Sequence, residues 1–304
     1  MEQILFNHSQ KPTSRPPSHR RGFLNLGFEL NGQGRSIMRH WERRAPLIVQ
    51  QELYFDREMP LLPCVYILSS GGPILSSDSF EQHFSLKRGA MAHISTGAAT
   101  KVAEMNGGSA QMRTYIRLED EAYLEYLPQP TIPCRGSRFL NHTHITISPS
   151  ATLLWAEIYF SGRKFHGESF EFGELDLQSR ATGIDEKLLF SERMIISPHT
   201  LSPQSVGIMG RYDIWASVVV LTPQNLADEI YHLSQNHFSQ QLMSGVGRLP
   251  NACGLQLKVL GVSSIDVKDE VRRFCSLVRL CVKGKPLPEE FRWREAEGGQ
   301  NYAE

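Results

Sequence analysis

The stretch ATLLWAEIYFSGRKFHGESFEF, residues 151–172, decides the fold of this chain. It opens with a run typical of a buried strand, in which one acid, Glu157, stands among apolar neighbours. A turn at Ser161-Gly162-Arg163 and a polar cluster at Gly167-Glu168-Ser169 follow. An acid inside an apolar strand is costly unless something pairs with it. The sequence therefore predicts that Arg163 or a bound cation pairs with Glu157.

Composition narrows the class of protein. The chain has 304 residues, 40% of them hydrophobic and 21% charged, which is typical of a globular protein. Lys+Arg and Asp+Glu are both 32, so there is no electrostatic case for nucleic acid or an anionic membrane as the main partner. No apolar run approaches the ~20 residues that a membrane span needs. Five cysteines without a CxxC pair predict reduced thiols and a cytoplasmic location.

The order of short apolar runs predicts a mainly β fold, a single large domain of stacked short strands with two helices towards the C-terminus. A flexible, basic and Pro-rich tail is expected over residues 1–21, the domain over 22–293 and a frayed tail over 294–304. The predicted strands are 23–30, 46–51, 64–68, 111–118, 123–127, 142–147, 153–160, 194–196, 215–221 and 255–262. The predicted helices are 223–240, after an N-cap at Thr222, and 267–282, ended by Gly284.

Familiar enzyme motifs are missing from the sequence. It contains no Walker phosphate loop, no GxSxG and no HExxH. His142 and His144 lie two apart on a predicted strand and so share a face, which suits either a metal ion or a solvated polar face. Five carboxylates beside or inside apolar segments are the better candidates for cation contacts: Asp78, Glu125, Glu157, Glu168 and Glu192. The alternative is that each pairs with an arginine, such as Arg163 or Arg193, in a structural network.

Eight short motifs, in order and in register from about residue 22 to 290, resemble the urease accessory protein D family. They include Gly34-Arg35, Pro46-Leu47-Ile48-Val49-Gln50, Tyr66-Ile67-Leu68, Ile74-Leu75-Ser76-Ser77-Asp78, Thr96-Gly97-Ala98-Ala99-Thr100-Lys101, Leu124-Glu125-Tyr126-Leu127-Pro128-Gln129, Gly162-Arg163 with Gly167-Glu168, and Leu188-Leu189 with Glu192-Arg193. The closing Gly284-Lys285, Pro288 and Trp293 are similar to the family's end. Ser76-Ser77 stand where the family commonly has two glycines, so the backbone before Asp78 is less free to adopt a positive φ.

The resemblance implies a predominantly β, helical-stack fold with a pair of helices and no enzymatic activity. It implies a scaffold that binds apo-urease and, with urease accessory protein F and the urease accessory GTPase (protein G), delivers nickel to the urease active site. Neither nucleic acid nor a membrane is an expected partner, and no cofactor is expected to bind tightly.

Family members are thought to carry the metal along a polar interior route, so transient Ni²⁺ contact is expected at Asp78, Glu157 and Glu192. Thr100 and Arg163 should lie near that route. Lys101, Glu125 and Glu168 are expected to line it or to support the fold. Two other classes of function stay open: a hydrolase that uses a carboxylate pair such as Glu157 and Glu168, and a β-rich ligand-binding module.

Overall fold

The computed structural model describes residues 19–289. The described residues do not include most of the expected N-terminal tail (residues 1–18), Trp293 or the expected C-terminal tail. The predictions for these segments stay predictions. The strands are β1 (Arg21–Leu30), β2 (Ser36–Arg44), β3 (Leu47–Ile48), β4 (Cys64–Ser69), β5 (Ser79–Leu86), β6 (Met91–Thr96), β7 (Thr100–Val102), β8 (Ala110–Leu118), β9 (Tyr123–Tyr126), β10 (Thr131–Pro133), β11 (Arg138–Ile147), β12 (Thr152–Phe160), β13 (Glu174–Gly183), β14 (Leu188–Ile196), β15 (Ile214–Leu221), β16 (His237–Phe238), β17 (Leu242–Arg248) and β18 (Gly254–Gly261). The helices are α1 (Gln224–Leu233) and α2 (Ser264–Lys283), with single 3₁₀ turns at Lys164–His166 and Pro250–Ala252.

Two sheets face each other across the main core. The seven-stranded sheet has the order β14-β13-β11-β8-β5-β1-β2, and the eleven-stranded sheet runs β16-β17-β18-β15-β12-β9-β6-β4-β3, with β10 and β7 attached beside it. From β5 to β13 the chain alternates between the sheets, so that successive turns stack parallel strands as in a β-solenoid. The predicted mainly β, stacked architecture with two helices is confirmed.

The stacking register explains the core. One row of side chains points inward across five parallel strands at equivalent positions, and all of its members are almost inaccessible to water. The row consists of Leu26, Phe84, Ile116, Ile145 and Ala181. Because side chains alternate along a strand, the intervening residues of the seven-stranded sheet point to its outer face. The inner row therefore belongs to the core between the sheets, while the outer row remains in contact with solvent.

Both helices pack on the outer face of the eleven-stranded sheet and form a second, smaller core. In α2, the Ser263 hydroxyl caps the N-terminus and Gly284, at φ 70°, ends the helix, close to the predicted bounds. The prediction for the first helix is too long, because Ser234 adopts an extended conformation and residues 237–238 pair with β17 instead. The strand predicted at 46–51 shortens to Leu47–Ile48. No helix of residues 19–289 is long and apolar enough to cross a membrane.

Gly254 offers a test of the packing where β18 begins. Its φ of 149° favours glycine, and a Cβ there would lie 1.8 Å from the carbonyl oxygen of Val220 on β15. We expect Gly254→Ala to destabilise the protein by roughly 1–3 kcal/mol or more, from backbone strain and overpacking. Urea unfolding measures the change. Gly247→Ala is the control, because a Cβ at Gly247 would have no heavy atom within 4 Å. Equal unfolding midpoints for the two variants would contradict this packing.

Candidate functional site

Glu157 lies on the face of β12 that points between the two sheets. Its same-face neighbours, Trp155 and Tyr159, belong to the main core, whereas Ala156 and Ile158 pack towards the helices. The alternation of side chains along the strand thus places a carboxylate in the seam between the sheets. The chain continues through the turn at Gly162, as the sequence predicts, and returns to the seven-stranded sheet through β13.

The carboxylate of Glu157 is held by neutral donors. Asn141, which lies on β11 in the opposite sheet, donates from Nδ2 to Glu157 Oε1 at 2.7 Å, and the Tyr159 hydroxyl donates to the same oxygen at 3.1 Å. Among the described residues, no basic side chain forms an ion pair with Glu157. Burial raises its pKa to about 7, although the hydrogen bonds from Tyr159 and Asn141 and the charge of Lys258 act in the opposite direction.

Arg163 does not pair with Glu157, which is a correction to the first alternative that the sequence suggests. Its guanidinium forms an ion pair with Glu168, donating from Nε to Oε2 at 2.9 Å. The two residues are only five apart, and the tight turn at Gly162, φ 153°, brings them together. Glu168 also accepts the backbone N–H of Arg135 at 3.3 Å. The Arg163–Glu168 pair therefore closes a surface turn, and Glu157 has no charged partner within residues 19–289.

A cavity of about 290 Å³ lies on one side of Glu157, between β12, β13, β14, β15 and β18. Glu192 on β14 and Lys258 on β18 line it together with Glu157. Glu192 Oε1 accepts from Lys258 Nζ at 2.6 Å, and its Oε2 accepts from Gln256 Nε2 at 2.7 Å. The structure thus brings together two of the three acids predicted for the interior route, and it places the Glu192–Lys258 pair closer to solvent than Glu157.

A second, smaller cavity of about 40 Å³ lies on the other side of Glu157. It is lined mostly by hydroxyl and amide side chains, among them Gln82, Thr100, Thr114, Gln129, Asn141 and Thr143. Thr100, predicted to lie near the route, belongs to this lining. Glu157 and Tyr159 line both cavities, so the Glu157 carboxylate stands between a larger, mostly apolar cavity and a smaller one lined by hydroxyl and amide side chains.

The remaining predicted residues lie elsewhere. Asp78 is buried and accepts from Arg20 Nε at 3.0 Å and from the backbone N–H of Leu75 at 2.6 Å, so it fastens the start of β1 to the loop before β5. Ser77 adopts φ 68°, so the serine there does take the positive φ that the sequence makes less favourable. Lys101 is exposed on β7. None of Asp78, Lys101, Arg163 and Glu168 lines either cavity beside Glu157.

Glu125 is the centre of a separate buried network under α2. It accepts from Tyr123 Oη at 2.6 Å, contacts His93 Nδ1 at 2.7 Å and lies 3.5 Å from Nε of Arg279, which also pairs with Asp56. Burial opposes its ionisation, yet these donors and the Arg279 charge together hold the pKa of Glu125 below its usual value. Glu125 therefore supports the packing of α2 on the sheet.

His142 and His144 share the outer face of the seven-stranded sheet, as the sequence predicts for neighbours on a strand. His144 stacks on Tyr115, and His142 Nε2 lies 3.8 Å from Asp176 Oδ2. Within residues 19–289, no group of three or more His, Cys, Asp or Glu side chains is arranged to hold one metal ion. Arg193, an expected partner of the acids, pairs with Asp176.

Sequence reasoning missed the two donors that hold Glu157. Tyr159 could have been found, because two residues along a strand return to the same face. Asn141 could not, because its approach depends on how the two sheets stack.

The pKa of Glu157 predicts how stability depends on pH. A carboxyl whose pKa rises on folding, here from 4.5 to about 7, favours the folded state at low pH, and this contribution is lost as the pH rises from 4.5 through 7. We therefore expect Glu157→Gln, which stays neutral, to gain stability relative to the parent between pH 5 and 8, by at most about 3 kcal/mol. Thermal melts across that range measure the gain. A constant difference, or a growing loss, would mean that Glu157 is ionised and paired in the folded protein.

Comparison with known proteins shows the family of this chain. The family model described as "UreD urease accessory protein" matches residues 20–294. A protein of Photorhabdus laumondii named "Urease accessory protein UreD" is 41% identical over 278 residues, covering 90% of this chain and 86% of the relative. A protein of the same name from Yersinia pseudotuberculosis is 40% identical over 277 residues, with the same coverage. "Urease accessory protein UreD 2" of Brucella suis is 37% identical over 295 residues, covering 95% of this chain and 97% of the relative. This chain therefore belongs to the UreD family of urease accessory proteins.

Proposed function

We propose that the protein is a non-catalytic scaffold of urease maturation in the cytoplasm. It binds the urease apoprotein and, together with accessory protein F and the accessory GTPase (protein G), serves the insertion of Ni²⁺ into the urease active site. The observation that carries the proposal is the position of Glu157, a carboxylate without a charged partner among the described residues. It lies between a larger, mostly apolar cavity that also contains the Glu192–Lys258 pair and a smaller cavity lined by hydroxyl and amide side chains.

Ni²⁺ is the cargo in this account, and the route passes Glu157. A carboxylate with a pKa near 7 can exchange its proton for a cation at neutral pH, so it can accept the ion without holding it in a closed cage. The hydroxyl and amide oxygens of the smaller cavity are weak ligands that suit a partly hydrated divalent ion in transit. Weak, successive contacts allow release, which a carrier requires and a storage site does not.

The Glu192–Lys258 pair has a place in the same route. It lines the larger cavity, and the ammonium of Lys258 must move away before Glu192 can bind a cation. We therefore place Glu192 at the outer part of the route and Glu157 at its centre. Asp78, paired with Arg20, supports the fold beside the route rather than lining it in this account.

The hydrolase alternative is less well supported. A carboxylate pair would need Glu157 and Glu168 to face one substrate, but Glu168 is engaged by Arg163 and by the backbone of Arg135, while Glu157 is held by Asn141 and Tyr159. The relatives are named as accessory proteins, which also favours a role in maturation.

Glu157→Gln tests the route directly. The variant keeps the shape and both donor contacts but removes the exchangeable charge, so we expect a stable protein that still binds its partners and activates urease roughly tenfold more slowly, as for other perturbed metal contacts. Melting temperature, pull-down of the urease apoprotein and urease activation are measured on the same preparation. Glu58→Gln is the matched control, because Glu58 is an exposed acid paired with Lys285 away from the cavities.

The same three measurements separate the other acids. Glu192→Gln should slow activation more mildly than Glu157→Gln. Asp78→Asn should instead lower the melting temperature, because it removes the charge that pairs with Arg20. If folded, complex-forming Glu157→Gln activates urease at the parental rate, the route past Glu157 is wrong.

A further inference from the structure

The outer face of the seven-stranded sheet carries a ladder of stacked rings. His83 on β5, Tyr115 on β8 and His144 on β11 occupy equivalent positions on neighbouring parallel strands. Their ring centroids are 4.7 Å and 5.2 Å apart, and the planes differ by only 19° and 15°. These spacings match the ~4.8 Å between strands, so the three rings stack face to face, one from each strand. Their edges, with the ring nitrogens and the phenol oxygen, therefore point away from the sheet.

Three arginines surround the ladder and lack carboxylate partners. Arg113 and Arg117 flank Tyr115 on β8, and Arg180 on β13 lies next to His144 in register. No carboxylate of residues 19–289 forms an ion pair with any of the three, whereas Arg138 and Arg193 on the same sheet pair with Glu174 and Asp176. The positive charge around the ladder is therefore not neutralised within the described part of the chain.

The positive charge around the ladder changes the pKa of His144. Burial lowers the pKa of His144, and the neighbouring His142, Arg113 and Arg180 lower it further. Like charges kept this close are unfavourable in the free protein, and a negative partner would relieve the repulsion. Neither helix covers this face, since both pack on the other sheet. The face thus presents three arginines that form no ion pair within residues 19–289, with Glu81 and Asp176 at its border.

The arrangement favours a protein partner over nucleic acid. Bases stack on the faces of aromatic rings, but the faces in this ladder are already occupied by neighbouring rings. Glu81, paired with His83, and Asp176 border the patch and would repel a continuous phosphate backbone. The formal net charge of zero also gives no general attraction to a polyanion. Discrete carboxylates on a folded surface fit the space between these acids.

We propose that this patch, formed by Arg113, Tyr115, Arg117, His144 and Arg180, docks an acidic surface of a protein partner. The proposal rests on the proposed function, in which the protein is a scaffold, and it adds where and by what chemistry one partner binds. Gln178 and Ser179 on β13, next to Arg180, line the larger cavity beside Glu157. A partner on this patch would therefore lie beside that part of the interior route.

Charge reversal at two exposed arginines tests the patch. The patch variant is Arg117→Glu/Arg180→Glu. The control variant is Arg57→Glu/Arg211→Glu, which reverses two exposed arginines away from the patch that also form no ion pair among the described residues. Four probes are used with the full chain at low and physiological salt: the purified urease apoprotein, purified accessory protein F, a poly-glutamate peptide and a single-stranded DNA oligonucleotide. Melting temperatures verify that both variants are folded, which the exposure of these side chains favours.

We expect the patch variant to bind poly-glutamate and at least one of the two proteins roughly tenfold more weakly, with a flatter salt dependence, while the control variant binds like the parent. Unchanged binding of both proteins, with or without loss of the peptide, would overturn the proposal. So would a patch-dependent preference for DNA over the peptide. If the parent binds neither protein, the proposed function fails instead, and patch-dependent binding of the peptide alone would still support the acidic preference.

Discussion

The hydrogen bond from Asn141 to Glu157 is the contact on which the interior of this protein depends. It joins β11 of one sheet to β12 of the other through the middle of an apolar core. A carboxylate in such a place is expensive to ionise, and the structure responds with neutral donors and a pKa near 7 instead of an arginine. The two sheets enclose one cavity on each side of this carboxylate.

The other acids of the chain show the contrast. Asp78, Glu168 and Asp176 each bind an arginine, and Glu125 is held by His93, Tyr123 and Arg279. In Glu125, Glu168 and Asp176 the favourable contacts hold the pKa below its ordinary value, as expected of structural carboxylates. Glu157 differs because its pKa is raised and because no charged side chain of the described residues pairs with it. This difference is the reason for the proposal that Glu157 contacts a cation in transit.

Strands that are mostly apolar, such as β12 and β15, could be predicted from the sequence even though they line a cavity, whereas β5 and β13 could not. β12 and β15 are mostly apolar, and the sequence predicts both close to their actual bounds. β5 was missed because Gln82 occupies an inward position and interrupts the alternation, and β13 was missed because Ser179 does the same. Both side chains line a cavity. The polar side chains that β5 and β13 turn towards the cavities thus obscured their strand pattern. Asn141 and the cavities depend on the stacking of the sheets, which no local pattern contains.

The central claim is that Ni²⁺ passes Glu157, and anomalous X-ray diffraction tests it most directly. Crystals of the full chain are soaked in Ni²⁺ at pH 8, and data are collected at the nickel absorption edge. At that pH the Glu157 carboxyl is largely ionised. The account predicts an anomalous peak between the sheets, about 2.1 Å from a Glu157 oxygen, the usual distance for a small divalent cation on a carboxylate. The peak should be missing in Glu157→Gln. Peaks confined to surface histidines, with no metal between the sheets of the parent protein, would contradict it.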